Sequence, residues 1–190
     1  MQEAQAARTK NIIEMALDFT AMTWLFPKGS RPKILQRLEG VFAGFDCIPE
    51  PKDYDQLHSG FCAWFTQNVD RAQKKKQREA GVPIHKSSYG QAAKVLDIAA
   101  KVYVYYCNMP SPEIAKVLIP ILHGALDNEI VQHLIGKFPE VGIRSKNLED
   151  IDRNKYEQLQ SLVAKDVEGD FHSEIFPVQY DDIMFRRLNR

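Results

Sequence analysis

Apolar residues recur along most of this chain at every third or fourth position, the spacing that places them on one face of an α-helix. No convincing run alternates between polar and apolar residues, and no Asn-Gly or Asp-Gly pair joins two β-rich segments. The pattern therefore predicts an all-α protein. The predicted helices cover residues 3–26, 31–43, 53–78, 88–108, 112–122, 127–137, 153–166 and 178–189.

The predicted helix at residues 88–108 is the most informative of these. It begins at Ser88, and Gln91 three residues later completes the pattern of a capping box. Its polar residues share one narrow stripe, whereas the rest of its circumference is nearly all apolar. The stripe consists of Gln91, Lys94, Asp97 and Lys101.

Two interpretations of this stripe are open. If it faces bulk water, the helix is an ordinary amphipathic one, and Asp97 and Lys101 form an ion pair one turn apart. If it lines a cleft, partial desolvation lowers the pKa of Lys94 and makes its amine a usable nucleophile.

Asp127, in the segment LDNEIV, also has two interpretations. It stands where the N-cap of the next helix belongs, and as a cap it would accept a backbone N–H bond, a contribution of ~1 kcal/mol. The helix dipole would also keep its carboxylate ionised, so that in a cleft it could stabilise a developing positive charge.

Composition indicates a globular protein. The chain has 190 residues, of which 44% are hydrophobic, enough to bury a core. Its longest apolar run, within residues 98–107, is interrupted by Lys101 and is shorter than the ~20 residues that span a membrane. The first residues do not resemble a signal peptide. We therefore predict a cytoplasmic protein with no membrane contact.

Cysteine and histidine spacings give no sign of a metal centre. Cys47, Cys62 and Cys107 are far apart and form no C-x-x-C pair, which excludes the common zinc and disulfide frameworks. The five histidines form no H-E-x-x-H or similar ligand pattern. We predict no bound metal and no cofactor.

Net charge is zero, but basic residues are clustered just before residue 88. Such a stretch can hold a phosphate backbone, or it can be a solvated helix end without a partner. Its members are Arg71, Lys74, Lys75, Lys76, Arg78 and Lys86. A second, smaller basic group lies at the C-terminus, with Arg186, Arg187 and Arg190.

Three segments, AKVLDIAAKVYVYYC, GALDNEIV and PVQYDDIMFRRLNR, together resemble the helix-hairpin-helix DNA glycosylases, and among them the archaeal 8-oxoguanine DNA glycosylase branch. The order and spacing of the segments agree from about residue 88 to the end. The resemblance implies a single glycosylase-like helical domain over residues 1–190, or two lobes of it with an active-site cleft between them.

The resemblance also assigns roles to residues. Lys94 would be the nucleophile and Asp127 the stabilising carboxylate, acting on a base extruded from double-stranded DNA. Lys101 and Asp181 would hydrogen-bond that base, Phe185 would cover its face, and Ile98 would line its pocket. In the family the amine forms a Schiff base and can nick the strand by β-elimination; whether this chain does so stays open.

Two departures from the family pattern bear on substrate and DNA contact. The glycines before the lysine, Gly81 and Gly90, are widely separated, so the hairpin that binds phosphate would here rely on Ser88 and Gly90. In HSGFCAWF, Ser59 occupies the place of a tryptophan that stacks on oxidised guanine, which predicts a wider pocket and a bulkier base.

Small bacterial relatives of this branch resemble phage-defence glycosylases that attack hypermodified DNA. The preferred prediction is therefore excision of glucosylated hydroxymethylcytosine by a monomeric enzyme. The alternatives are an 8-oxoguanine repair glycosylase with AP-lyase activity, a helical DNA-binding module without chemistry, and a protein-interaction domain.

Overall fold

A computed structural model describes residues 2–22, 25–27, 29–48, 50–73 and 79–188. Within these ranges all regular secondary structure is helical, which confirms the predicted all-α class. None of the described helices is long and apolar enough to cross a membrane. The helices are α1 (Gln2–Phe19), α2 (Ser30–Ala43), α3 (Pro51–Asn68), α4 (Tyr89–Ala100), α5 (Pro112–Leu118), α6 (Asn128–Lys137), α7 (Arg153–Asp170) and α8 (Pro177–Leu188).

Two of the predicted helices end earlier than expected. The first stops at Phe19, and Ala21 follows with a left-handed φ of 52° that no α-helix can contain. The third stops at Asn68, after which the chain is extended and Asp70 pairs with Lys86 in an isolated antiparallel bridge. Residues 74–78 of that prediction lie outside the described residues.

Helix α4 lies at the centre of the fold and contacts α1, α3 and α7. Val95 and Leu96 are fully buried, and small residues let the neighbouring helices come close. These small, fully buried residues are Ala92, Ala93, Ala99 and Ala100. A π-helical turn at Lys101–Tyr106 continues the helix, and such turns are frequent at functional sites.

The start of α4 is fixed by the predicted capping box. The Gln91 amide donates to the Ser88 hydroxyl over 3.2 Å, and the Ser88 amide donates to Gln91 Oε1 over 3.0 Å. The Ser88 hydroxyl donates to the Leu148 carbonyl and the Gly90 amide to the Ile151 carbonyl. Because Gly90 is buried and the N–H groups of Ser88 and Gly90 have partners within the protein, the structure gives no support to the phosphate contacts predicted for these two residues.

Replacing Gly90 with alanine is expected to destabilise the fold by about 1 to 3 kcal/mol. A Cβ atom at this position would lie 2.7 Å from both Ile151 Cβ and the Leu148 carbonyl oxygen, so α4 would have to move away from this segment. Gly60→Ala on α3 is the control, because nothing lies within 4 Å of its Cβ position and alanine favours the helix by about 0.5 to 1 kcal/mol. Urea unfolding of both variants measures the difference. Equal stability of the two variants would contradict the close contact.

Candidate active site

A cleft opens beside α4, where two adjoining cavities of about 530 and 650 Å³ share Ala21, Lys94 and Asp127 in their walls. The larger cavity is lined by the end of α1, by α4 and its π-helical turn, by the start of α6 and by α8. It includes the predicted residues Lys94, Ile98, Lys101, Asp127, Asp181 and Phe185.

The polar stripe of α4 does not face bulk water. Gln91, Asp97 and Lys101 are only 2%, 1% and 3% exposed. Asp97 and Lys101 do not pair with each other, because Asp97 accepts from Tyr156 and Lys101 turns to α8. The solvated-face interpretation of the stripe is therefore wrong.

Lys94 is half-buried in the cleft wall. Burial lowers the pKa of its amine below the ordinary value, and attraction to Asp127 and Asp181 offsets part of that decrease. A lowered pKa increases the fraction of neutral amine at physiological pH, which is the nucleophilic form.

Asp127 is the N-cap of α6, and its Oδ1 accepts the Ile130 amide over 2.8 Å. The cap prediction is thus confirmed. The same carboxylate lines both cavities and is near enough to raise the pKa of Lys94. The helix-cap and cleft interpretations of Asp127 are compatible, because one carboxylate both accepts the helix N–H bond and faces the cleft.

Three charged groups form the polar end of the larger cavity. The buried Lys101 amine donates to Asp181 and, over 2.9 Å, to Asp182, while the Tyr106 hydroxyl donates to Asp182 over 2.7 Å. Burial opposes the charge of Lys101, but the two carboxylates outweigh that effect and raise its pKa. Burial raises the pKa of Asp181 to about 6, and one of its oxygens has no partner among the described residues.

Phenylalanines stand at the apolar rim of this cavity. Phe185 is 60% exposed and Phe19 is 58% exposed, and the ring of Phe19 meets Tyr106 edge-on. Sequence reasoning missed Phe19, Tyr106 and Asp182, since nothing in their local sequence distinguishes them from residues of an ordinary helix surface.

The predicted basic stretch is only partly described. The Arg71 guanidinium donates to Glu149 over 2.7 Å, and Lys86 pairs with Asp70 over 2.7 Å, so both have intramolecular carboxylate partners. Neither Arg71 nor Lys86 lines the cleft. In the basic C-terminal group, Arg186 lines the larger cavity. The predicted DNA contacts Lys74, Lys75, Lys76 and Arg78 lie outside the described residues, as does Arg190.

Ser59 is not part of the cleft. It lies on α3, where its hydroxyl donates to the Gln56 carbonyl over 3.0 Å, and it lines neither cavity. The structure therefore gives no support to the prediction that Ser59 widens the substrate pocket.

Asp181 should make folding stability depend on pH between about 4 and 6. Its pKa is about 6 in the folded protein and about 3.9 when unfolded, so the folded state binds more protons in this window and stability falls as pH rises through it. Asp181→Asn removes this titration. We expect the variant to gain about 1 to 3 kcal/mol relative to wild type between pH 4 and pH 7.

Urea unfolding of wild type and variant at both pH values checks this expectation. Asp166→Asn is a useful comparison, because ion pairing with Lys137 and other contacts overcome burial and lower the pKa of Asp166. Because the lowered pKa stabilises the folded protein as the carboxyl ionises, wild type should gain stability over Asp166→Asn as pH rises to about 5, which is the opposite direction. A constant difference for Asp181→Asn would contradict the raised pKa.

Comparison of the chain with protein-family models, with curated proteins and with solved structures found no match.

Proposed function

We propose that this protein is a DNA glycosylase that extrudes a modified base from double-stranded DNA and cleaves its N-glycosidic bond, leaving an abasic site. One observation carries the proposal. Six residues that the family resemblance assigns to chemistry or base contact line a single cavity of about 650 Å³, although they come from three separate parts of the chain. They are Lys94, Ile98, Lys101, Asp127, Asp181 and Phe185.

Lys94 and Asp127 would cleave the N-glycosidic bond. As the bond from C1′ to the base nitrogen breaks, the base leaves with the bonding electrons and positive charge develops on the sugar. The Asp127 carboxylate, which lines the same cavity as Lys94, stabilises that charge. The neutral Lys94 amine then bonds to C1′ and loses a proton to solvent, and water later displaces it to leave the abasic site.

The polar end of the cavity holds the base. Lys101 and Asp181 offer a donor and an acceptor to its edge, and Phe185 covers its face, a stacking contribution of ~1 to 3 kcal/mol. Phe19 extends the apolar rim beyond these predicted contacts. The volume and the second carboxylate, Asp182, favour a base larger than an ordinary one.

We therefore propose glucosylated hydroxymethylcytosine, the modified base of some phage DNA, as the substrate, and antiviral defence as the role. Mass spectrometry of bases released from four DNAs tests the proposal. These carry glucosylated hydroxymethylcytosine, hydroxymethylcytosine without the sugar, 8-oxoguanine, or no modification. Release of the glucosylated base alone is expected.

The other outcomes are informative. Release of 8-oxoguanine alone would keep the glycosylase and replace the defence role by repair. Binding to DNA that weakens with salt, without release from any substrate, would leave a helical DNA-binding module. Absence of both would overturn the proposal and favour a protein-interaction domain.

A further inference from the structure

A buried polar cluster lies one helical turn beyond Lys94. His58 on α3, Asp97 on α4, Tyr156 on α7 and His123 before α6 meet inside the core. His58 Nε2 is 2.9 Å from Asp97 Oδ1, and the Tyr156 oxygen is 2.8 Å from Asp97 Oδ2. The Tyr156 oxygen is also 3.2 Å from His58 Nε2 and 3.0 Å from His123 Nδ1.

Counting donors and acceptors shows how many hydrogens the contacts of this cluster require. Tyr156 has one hydroxyl hydrogen, which Asp97 accepts. His123 faces the Tyr156 oxygen with Nδ1 and the Asp55 carboxylate, at 2.8 Å, with Nε2. If protons alone satisfy these contacts, both nitrogens of His123 must carry hydrogen, and the ring must be a charged imidazolium.

A metal ion would satisfy the same nitrogen and oxygen atoms while the imidazole rings of His58 and His123 stay neutral. His123 Nε2–H then donates to Asp55, which leaves its Nδ1 lone pair for the metal, an arrangement common around metal-binding histidines. His58 offers its Nε2 lone pair, and its Nδ1–H faces the Cys62 sulfur at 3.8 Å. Two positive charges balance the carboxylates of Asp97 and Asp55.

We propose that His58, Asp97 and His123 bind a divalent transition-metal ion of the zinc type, with the Tyr156 oxygen at the fourth corner. The donor atoms of His58, Asp97 and His123 all lie within 4.8 Å of one another. The Tyr156 oxygen lies 2.8 to 3.2 Å from one donor atom of each of these three residues, and His58 Nε2 lies 2.9 Å from Asp97 Oδ1. Donor atoms around a tetrahedral zinc ion are about 3.3 Å apart. The proposed site departs from the expectation of a metal-free protein.

Four protein donors leave no open position, which is typical of a structural zinc site. The ion would join α3, α4, α7 and the segment before α6, and would thereby fix the helix that carries Lys94. Sequence inspection missed the site because its ligands come from distant parts of the chain and form no motif. The proposal does not rest on the glycosylase function.

The proposed zinc site is tested by elemental analysis of the protein, purified without chelators or metal-affinity steps. We expect about one zinc per chain, loss of the metal on dialysis against a chelator, and a higher melting temperature when zinc is added back. Asp55→Asn should weaken zinc binding about 10- to 100-fold by removing the partner of His123.

His123→Asn should abolish binding, and it is the ligand change least disruptive to folding, because this side chain is 20% exposed. His133→Asn is the matched control, since His133 also contacts an aspartate, Asp166, but outside the cluster. It should keep the metal. If chelated wild-type protein binds no zinc, nickel, cobalt or iron and melts at the same temperature with and without zinc, the proposal is overturned, and the cluster is a proton-linked network.

Discussion

Replacing Lys94 with methionine is expected to abolish the covalent complex that borohydride traps with substrate DNA, and to slow base release at least about 1,000-fold. Methionine fills a similar volume but has no amine, so no bond to C1′ can form. The measurements are gel analysis of the trapped complex and single-turnover release of the base. Substrate binding should persist, because the cavity walls formed by Ile98, Asp181 and Phe185 stay in place.

The same variant separates a catalytic lysine from a structural one. Burial lowers the pKa of Lys94, which means that the folded protein disfavours the charged amine, so Lys94→Met should be as stable as wild type or more stable. Lys116→Gln, at an exposed position on α5, is the control and should change neither activity nor trapping. Full base release with trapping retained would exclude Lys94 as the nucleophile. Full base release with trapping lost would instead identify water as the nucleophile of base release and leave Lys94 only the later lyase step.

The second large effect is expected for Asp127→Asn, which should slow base release about 100- to 1,000-fold while leaving stability within about 0.5 kcal/mol of wild type. Asparagine caps a helix as well as aspartate does, so the bond from the Ile130 amide survives. Only the negative charge that stabilises the sugar is lost. Single-turnover release and urea unfolding measure the two quantities.

The chain offers a matched control for this substitution. Asp152 caps α7 with the same geometry, accepting the Lys155 amide over 3.0 Å, but its side chain is 60% exposed and lines neither cavity. Asp152→Asn should therefore change neither stability nor base release. If Asp127→Asn behaved like this control, Asp127 would be a helix cap and nothing more.

Helix positions followed from the sequence wherever a local signal defines the end. The capping box at Ser88 and the N-cap at Asp127 placed the starts of α4 and α6 within one residue. Predictions failed where a partner distant in sequence decides the conformation. The predicted helix 53–78 ends at Asn68 because the next residues form hydrogen bonds with the strand-like segment 85–87, as when the Ser87 amide donates to the Val69 carbonyl.

The predictions for the candidate site succeeded and failed for the same reason. The resemblance selected six residues of the larger cavity, but it also placed Ser59 and Gly90 in functional contacts that the geometry does not support. Phe19 belongs to the cavity only because the end of α1 packs beside the π-helical turn. No local pattern could reveal such a neighbour.

By itself the sequence determined the all-α class, the order of the helices, and the stripe that gives α4 its polar residues, because helical periodicity and caps act over a few residues. Only the tertiary structure decided what the stripe faces. Asp97 turns to His58 and Tyr156, Lys101 turns to Asp181, and Lys94 is left half-buried beside Asp127. The reason is physical: desolvation and charge pairing depend on neighbours brought from distant parts of the chain, and these neighbours shift the pKa values of Lys94, Lys101 and Asp181.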